Sequence, residues 1–241
     1  MIKIFRKIRK QLVNSNSNSK YLKYAIGEIA LVVIGILIAL QVNSWNEERQ
    51  LALKEKKLLF ELKNDLIGSK NELIFDLNNL SRILKTSDSI IQYLDTIDAK
   101  NYDRIKFGDK MGLVLGNVKL YPRTIAYENL KSYGNELITN DSIRYYVSEV
   151  YDRKIPRVKH WETSSVKSEN DLYNALSGFL KSKISPDINY NKYLLIPDTF
   201  NSKTKKLFIN RLAILQNERY GLLYVYEDLL KTVEKLLKLL D

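Results

Sequence analysis

Apolar positions fall into two regimes along this chain: one unbroken run near the N-terminus, then helical spacing over most of the remainder. From Tyr24 the chain reads YAIGEIALVVIGILIALQVN, and Ile29–Leu40 holds no polar side chain. A helix over 24–43 rises about 30 Å, the depth of a bilayer's hydrocarbon core. A buried helix of a soluble protein is the alternative reading, but a helix apolar on every side leaves no polar face to meet water. The pattern predicts a transmembrane helix over 24–43.

Beyond it, 44–97 contains no Pro and a single Gly. Leu59, Leu62, Leu66, Leu73, Leu77, Leu80, Leu84, Ile91 and Leu94 keep helical spacing, so one long helix of up to roughly 80 Å is expected, with Gly68-Ser69 as its kink. The stretch 98–123 is less regular, and 107–118 reads as a short helix or irregular chain. Its Gly108, Gly112 and Gly116 make no phosphate loop, because no strand precedes them and no Gly-Lys-Ser/Thr follows. Thr124 is placed to cap a helix through about Ser132, which Gly134 ends in a left-handed conformation. Asn140 caps another helix, with Asp141 in its first turn and Ile143, Val147 and Val150 on its buried face. Pro156 predicts a kink or break before that segment continues to about Ser182. Pro186 and Pro197 make 183–202 read as a loop over the bundle.

The final helix carries Phe208, Leu212, Leu215, Arg219, Leu222, Tyr226, Leu229, Val233, Leu236 and Leu240, alternating four and three residues apart. This is a heptad seam with one basic exception, Arg219. An antiparallel partner for the first long helix is the expected role, an intermolecular coiled coil the alternative. The expected fold is all-α: a transmembrane helix continuing into a long helix, packed with further helices as an elongated antiparallel bundle. The expected division is a basic tail over 1–23, the membrane helix over 24–43 and a helical domain over 44–241.

Charge sharpens the topology. Residues 1–23 hold Lys3, Arg6, Lys7, Arg9, Lys10, Lys20 and Lys23 and no acid, which accounts for seven of the net +11 charges. A basic excess confined to a tail beside an apolar segment points to anionic lipid headgroups and away from nucleic acid. Seven basic residues precede the span, whereas Glu47, Glu48 and Arg49 follow it, so the N-terminus is expected in the cytoplasm and the domain outside, in the periplasm of a bacterial inner membrane. A cleaved signal peptide fits less well, since Leu40-Gln41-Val42-Asn43 offers no small-x-small cleavage site. Lys20, Tyr21, Lys23, Tyr24 and Trp45 are the expected interface anchors.

Within the span, Glu28, Gly35, Ala39 and Asn46 are separated by seven, four and seven residues and share one stripe. Gly and Ala there would let helices approach closely, so helix packing with a second copy or another membrane protein is expected, with an ion-handling Glu28 as the sharper alternative. The stretch KYLKYAIGEIALVVIGILIALQVNSWNEE (Lys20–Glu48) resembles the signature of an uncharacterised bacterial family, domain of unknown function 6090. AYENLKSYGNELITNDSIRYYVSEVYD (Ala126–Asp152) resembles that family's second recurring pattern, departing from it at Tyr133-Gly134-Asn135-Glu136. The resemblance implies a small single-span membrane protein with a helical domain and carries no activity.

Candidate chemistry is sparse. With no Cys in the chain, disulfides, thiolate metal sites and cysteine nucleophiles are excluded. The sole histidine, His160, reads as a helix-surface residue, since one His builds no zinc site. Carboxylates are expected singly on solvated faces, and the Tyr145-Tyr146 and Tyr224/Tyr226 groups at bundle edges. No cofactor is expected. The expected function is a membrane-anchored interaction or scaffold module without catalysis; a periplasmic sensor-like bundle, or an accessory subunit of an ion-driven complex using Glu28, are the alternatives.

Overall fold

In a computed structural model the chain is described over residues 18–96, 104–178, 180–185, 192–197 and 201–241, with backbone alone at 18–21, 23–24, 104–106, 109, 180–185 and 192–197. Residues 1–17 of the predicted basic tail (1–23) lie outside the described residues. The chain divides into two compact units, Met1–Lys56 and Lys57–Asp241.

The first unit consists, where described, of the start of helix α1 (Asn18–Thr96). Ala25 onward is long and apolar enough to cross a membrane, and none of its apolar window is buried. Leu31, Val32, Ile34, Ile36, Leu37 and Ile38 are all exposed.

In the second unit, α1 continues beside α2 (Arg104–Val114), α3 (Ile125–Tyr133), α4 (Asp141–Ser148), α5 (Ile155–Leu176) and α6 (Ser202–Leu239). The helical period sorts buried from exposed positions: Leu62, Leu66, Leu73, Leu80 and Leu84 of α1 are buried with Leu222, Tyr226, Leu229, Val233 and Leu236 of α6 in one core. The two helices run antiparallel. Lys63 lies 2.8 Å from Asp241, Lys70 lies 3.0 Å from Glu234, and Asp88 accepts hydrogen bonds from Gln216 and Tyr220. Each step up α1 is thus matched by an equal step down α6. The heptad seam is consumed inside the chain.

Several local expectations need correction. α1 runs through Gly68-Ser69 without interruption. What Gly68 provides is room: a Cβ there would lie 2.5 Å from the Arg123 guanidinium. Thr124 occupies the N-cap of α3, yet its side chain makes no capping bond. The α3 entry is held from α1, where Asp65 accepts from the Ala126 amide at 2.9 Å and Ser69 Oγ from the Arg123 amide at 2.9 Å. Gly134 has positive φ, +92°, but an extended ψ of 145°, a region nearly confined to glycine, where a left-handed helical end was expected. A 3₁₀ turn, Asn135–Leu137, follows it. Asn140 caps α4 as expected, accepting from Ser142 and Ile143.

Pro156 breaks nothing. A π-helical turn, Glu149–Lys154, joins α4 to α5, with the Ile155 amide reaching back to the Val150 carbonyl. The widened turn absorbs the proline, which sits in the first turn of α5, where its missing N–H goes unused. α5 ends at Leu176, short of Ser182. In place of a loop over 183–202, strands β1 (Leu180–Ser185) and β2 (Lys192–Pro197) pair antiparallel, Leu180 opposite Pro197 and Ser185 opposite Lys192. Pro197 closes its strand, where no ladder donor is needed. The fold is all-α apart from this hairpin.

Candidate functional site

Two apolar cores divide the second unit. One runs from Leu58 to Leu236; the other gathers Ile90, Leu94, Phe107, Met111, Leu172, Phe208 and Leu215. Along α6 the border falls between Leu215 and Leu222, where Arg219 sits. Its side chain is buried, Nη1 donating to the Val114 carbonyl at 2.5 Å and Nη2 to that of Gly116 at 3.0 Å. These carbonyls lie at the C-terminal end of α2, which has no helical donors of its own to offer them. Glu169 of α5 lies 3.5 Å from Nη2, and its Oε2 is buried without a hydrogen bond. Burial pulls Arg219 down to about 10, against the opposing pull of Glu169, so the guanidinium stays charged at neutral pH. Burial raises Glu169, and Arg219 limits the rise. The basic exception in the seam is therefore a planar fork that ties α2 to α6.

Two helical turns further, Glu162 of α5 is buried as well. Its Oε1 accepts from the Leu120 amide at 2.7 Å and from the Tyr226 hydroxyl at 2.6 Å. Burial, then the charges of Glu162 and Glu72, push Asp76 of α1 up to about 6. The Tyr226 hydroxyl is raised by burial and by its bond to Glu162. Expecting carboxylates only on solvated faces fails for Glu162, and Tyr226 is a core residue where a bundle edge was expected. Nearby, Tyr127 and Tyr151 stack with ring centroids 4.3 Å apart, and the Tyr127 hydroxyl donates to Asp152.

This layer can position chain but offers little to a substrate. The fork of Arg219 is engaged by two backbone carbonyls, and Glu162 by an amide and a phenol. The 117–124 connector that Glu162 pins walls a cleft of about 740 Å³, with Lys159, Glu162, Thr163 and Val166 on its other side. His160 is exposed on α5, and Trp161 packs against Gly221 so closely that a Cβ there would lie 2.2 Å from its ring. Among the described residues no group of three or more His, Cys, Asp or Glu is disposed to hold a metal ion.

The membrane stripe lies in the first unit. Around Gly35 nothing stands within 4 Å of where a side chain would begin, and Ala39 and Asn46 are exposed. Glu28 is half-buried, and Trp45 is exposed. The side chains of Lys20, Tyr21, Lys23 and Tyr24 lie outside the described residues. Spacing announced the break at Arg219. The roles of Glu162, Asp76 and Asp65 had no local signal, because each depends on a partner remote in sequence.

Residues 28–196 match the model of a family described as a family of unknown function (DUF6090). No curated protein and no solved structure matches the chain.

Proposed function

Because the chain belongs to the family of unknown function DUF6090, which brings no activity with it, we propose from its residues that it is a membrane-anchored helical scaffold without catalytic activity. The observation that carries the reading is the apolar run of α1: it is long enough to span a bilayer, and none of it is buried by the chain's own residues. The seven basic residues before the span favour a cytoplasmic N-terminus held against anionic headgroups of the bacterial inner membrane, with the helical domain in the periplasm. The buried polar layer supports a structural role, since its charged groups hold the connectors in place. Glu28, Gly35 and Ala39 within the span and Asn46 just beyond it form the face for a partner, either a second copy or another membrane protein, with close approach at Gly35.

Extraction in mild detergent followed by mass spectrometry tests this. The expected result is a reproducible membrane partner that Gly35→Leu removes and Glu28→Gln retains. Loss of the biological phenotype with Glu28→Gln while the partner is still retained would favour ion handling and contradict the scaffold reading.

A further inference from the structure

Helix α1 buries one face in the second unit and leaves the opposite face bare. Leu62, Leu66 and Leu73 are in the core. Across the helix, Phe60, Ile67 and Ile74 recur every seven residues and are 65%, 42% and 38% exposed. Four residues after each comes an exposed asparagine: Asn64, Asn71 and Asn78. At about 100° per residue, Phe60 and Asn64 stand roughly 40° apart, and both point away from Leu62 and Leu66. An apolar residue alternating with asparagine at four-three spacing is the seam of a two-stranded coiled coil, with the apolar residues at d and the asparagines at a. The asparagine amide has both donor and acceptor, so it pairs best with its own counterpart in a parallel, in-register dimer. An antiparallel partner would set it against an apolar side chain.

We propose that this face is the interface of a parallel homodimer, a second copy of this chain being its occupant. Flanking charge agrees: Lys56 and Glu61 are spaced five residues apart, which in a parallel pair sets the lysine of one chain against the glutamate of the other. The area sets the conditions. The bare apolar side chains offer roughly 300 Å² per chain, well below the ~800 Å² per partner of a stable soluble complex. Two chains held in one membrane with the same orientation meet at a high effective concentration, so a weak seam suffices. The inference thus rests on the anchored reading above. By sequence spacing alone, the same seven-residue step continues upstream through Leu53, Asn46 and Ala39.

The chain has no cysteine, so single-cysteine variants report cleanly. Membranes carrying the full chain with Asn64→Cys, Asn71→Cys or, as an exposed control off the seam, Tyr145→Cys are oxidised with copper phenanthroline. Expected is a disulfide product of twice the chain mass, several-fold more abundant at 64 and 71 than at 145, and returned to the control level when Phe60→Asp is added. Equal cross-linking at all three positions, or a product containing a different protein, overturns the dimer. A carbonate wash reads the anchor separately: a chain retained but not cross-linked overturns the dimer alone, and a chain washed off overturns the anchored reading and the parallel pairing that depends on it.

Discussion

Arg219 stands where a heptad seam asks for leucine, and its burial is tolerable because two carbonyls and Glu169 surround its fork. Arg219→Ala leaves those groups facing a void and should cost about 3–5 kcal/mol, as broken buried ion pairs do. Arg219→Lys should not restore it, since one ammonium replaces two diverging N–H groups; urea unfolding of the three proteins checks both. Asp76 makes a pH-dependent case. Its folded-state carboxyl is raised from 3.8 to about 6, so the folded chain holds the proton more tightly than the unfolded chain. Its contribution is therefore favourable below about pH 4 and lost as pH rises through 6. Asp76→Asn should raise the thermal midpoint at pH 7 and leave it unchanged near pH 4. Equal shifts at both pH values would refute this. Gly221 lies against the Trp161 ring, so Gly221→Ala should destabilise by roughly 1–3 kcal/mol through overpacking, read from the same urea curves.

At the scale of elements, the long helices were legible because their cues are local and repeated. The α6 seam is buried from Phe208 to Leu236, and the Asn140 cap is where it was expected. The failures have different causes, and in one of them a distant group took over a local job. Thr124 was expected to cap α3, but Asp65 and Ser69 reach across from α1 and satisfy the entering amides. The hairpin escaped because Pro186 and Pro197 argue for loop, yet one follows β1 directly and the other ends β2, where proline is harmless. Pro156 argues for a kink or break, because a π-turn has no sequence signature as plain as the proline it accommodates. Asp65→Ala should strand the buried Ala126 amide and cost about 1–3 kcal/mol, whereas Asn140→Ala, losing an exposed cap, should cost about 1 kcal/mol. Equal costs for the two would show that the remote cap carries no special weight.

For the whole molecule, the apolar segment that the chain does not bury is the observation on which the proposal of a membrane-anchored domain rests. Of the candidate site, the sequence disclosed the anomaly at Arg219. The Glu162–Tyr226–Leu120 centre emerged only when α5, α6 and the connector came together. The most direct test of the central claim is labelling of single cysteines in spheroplasts with a membrane-impermeant maleimide. Tyr145→Cys in the helical domain should label in intact spheroplasts, and Ser15→Cys in the basic tail only after lysis. Labelling of Ser15→Cys before lysis, or of Tyr145→Cys only after it, would contradict the account.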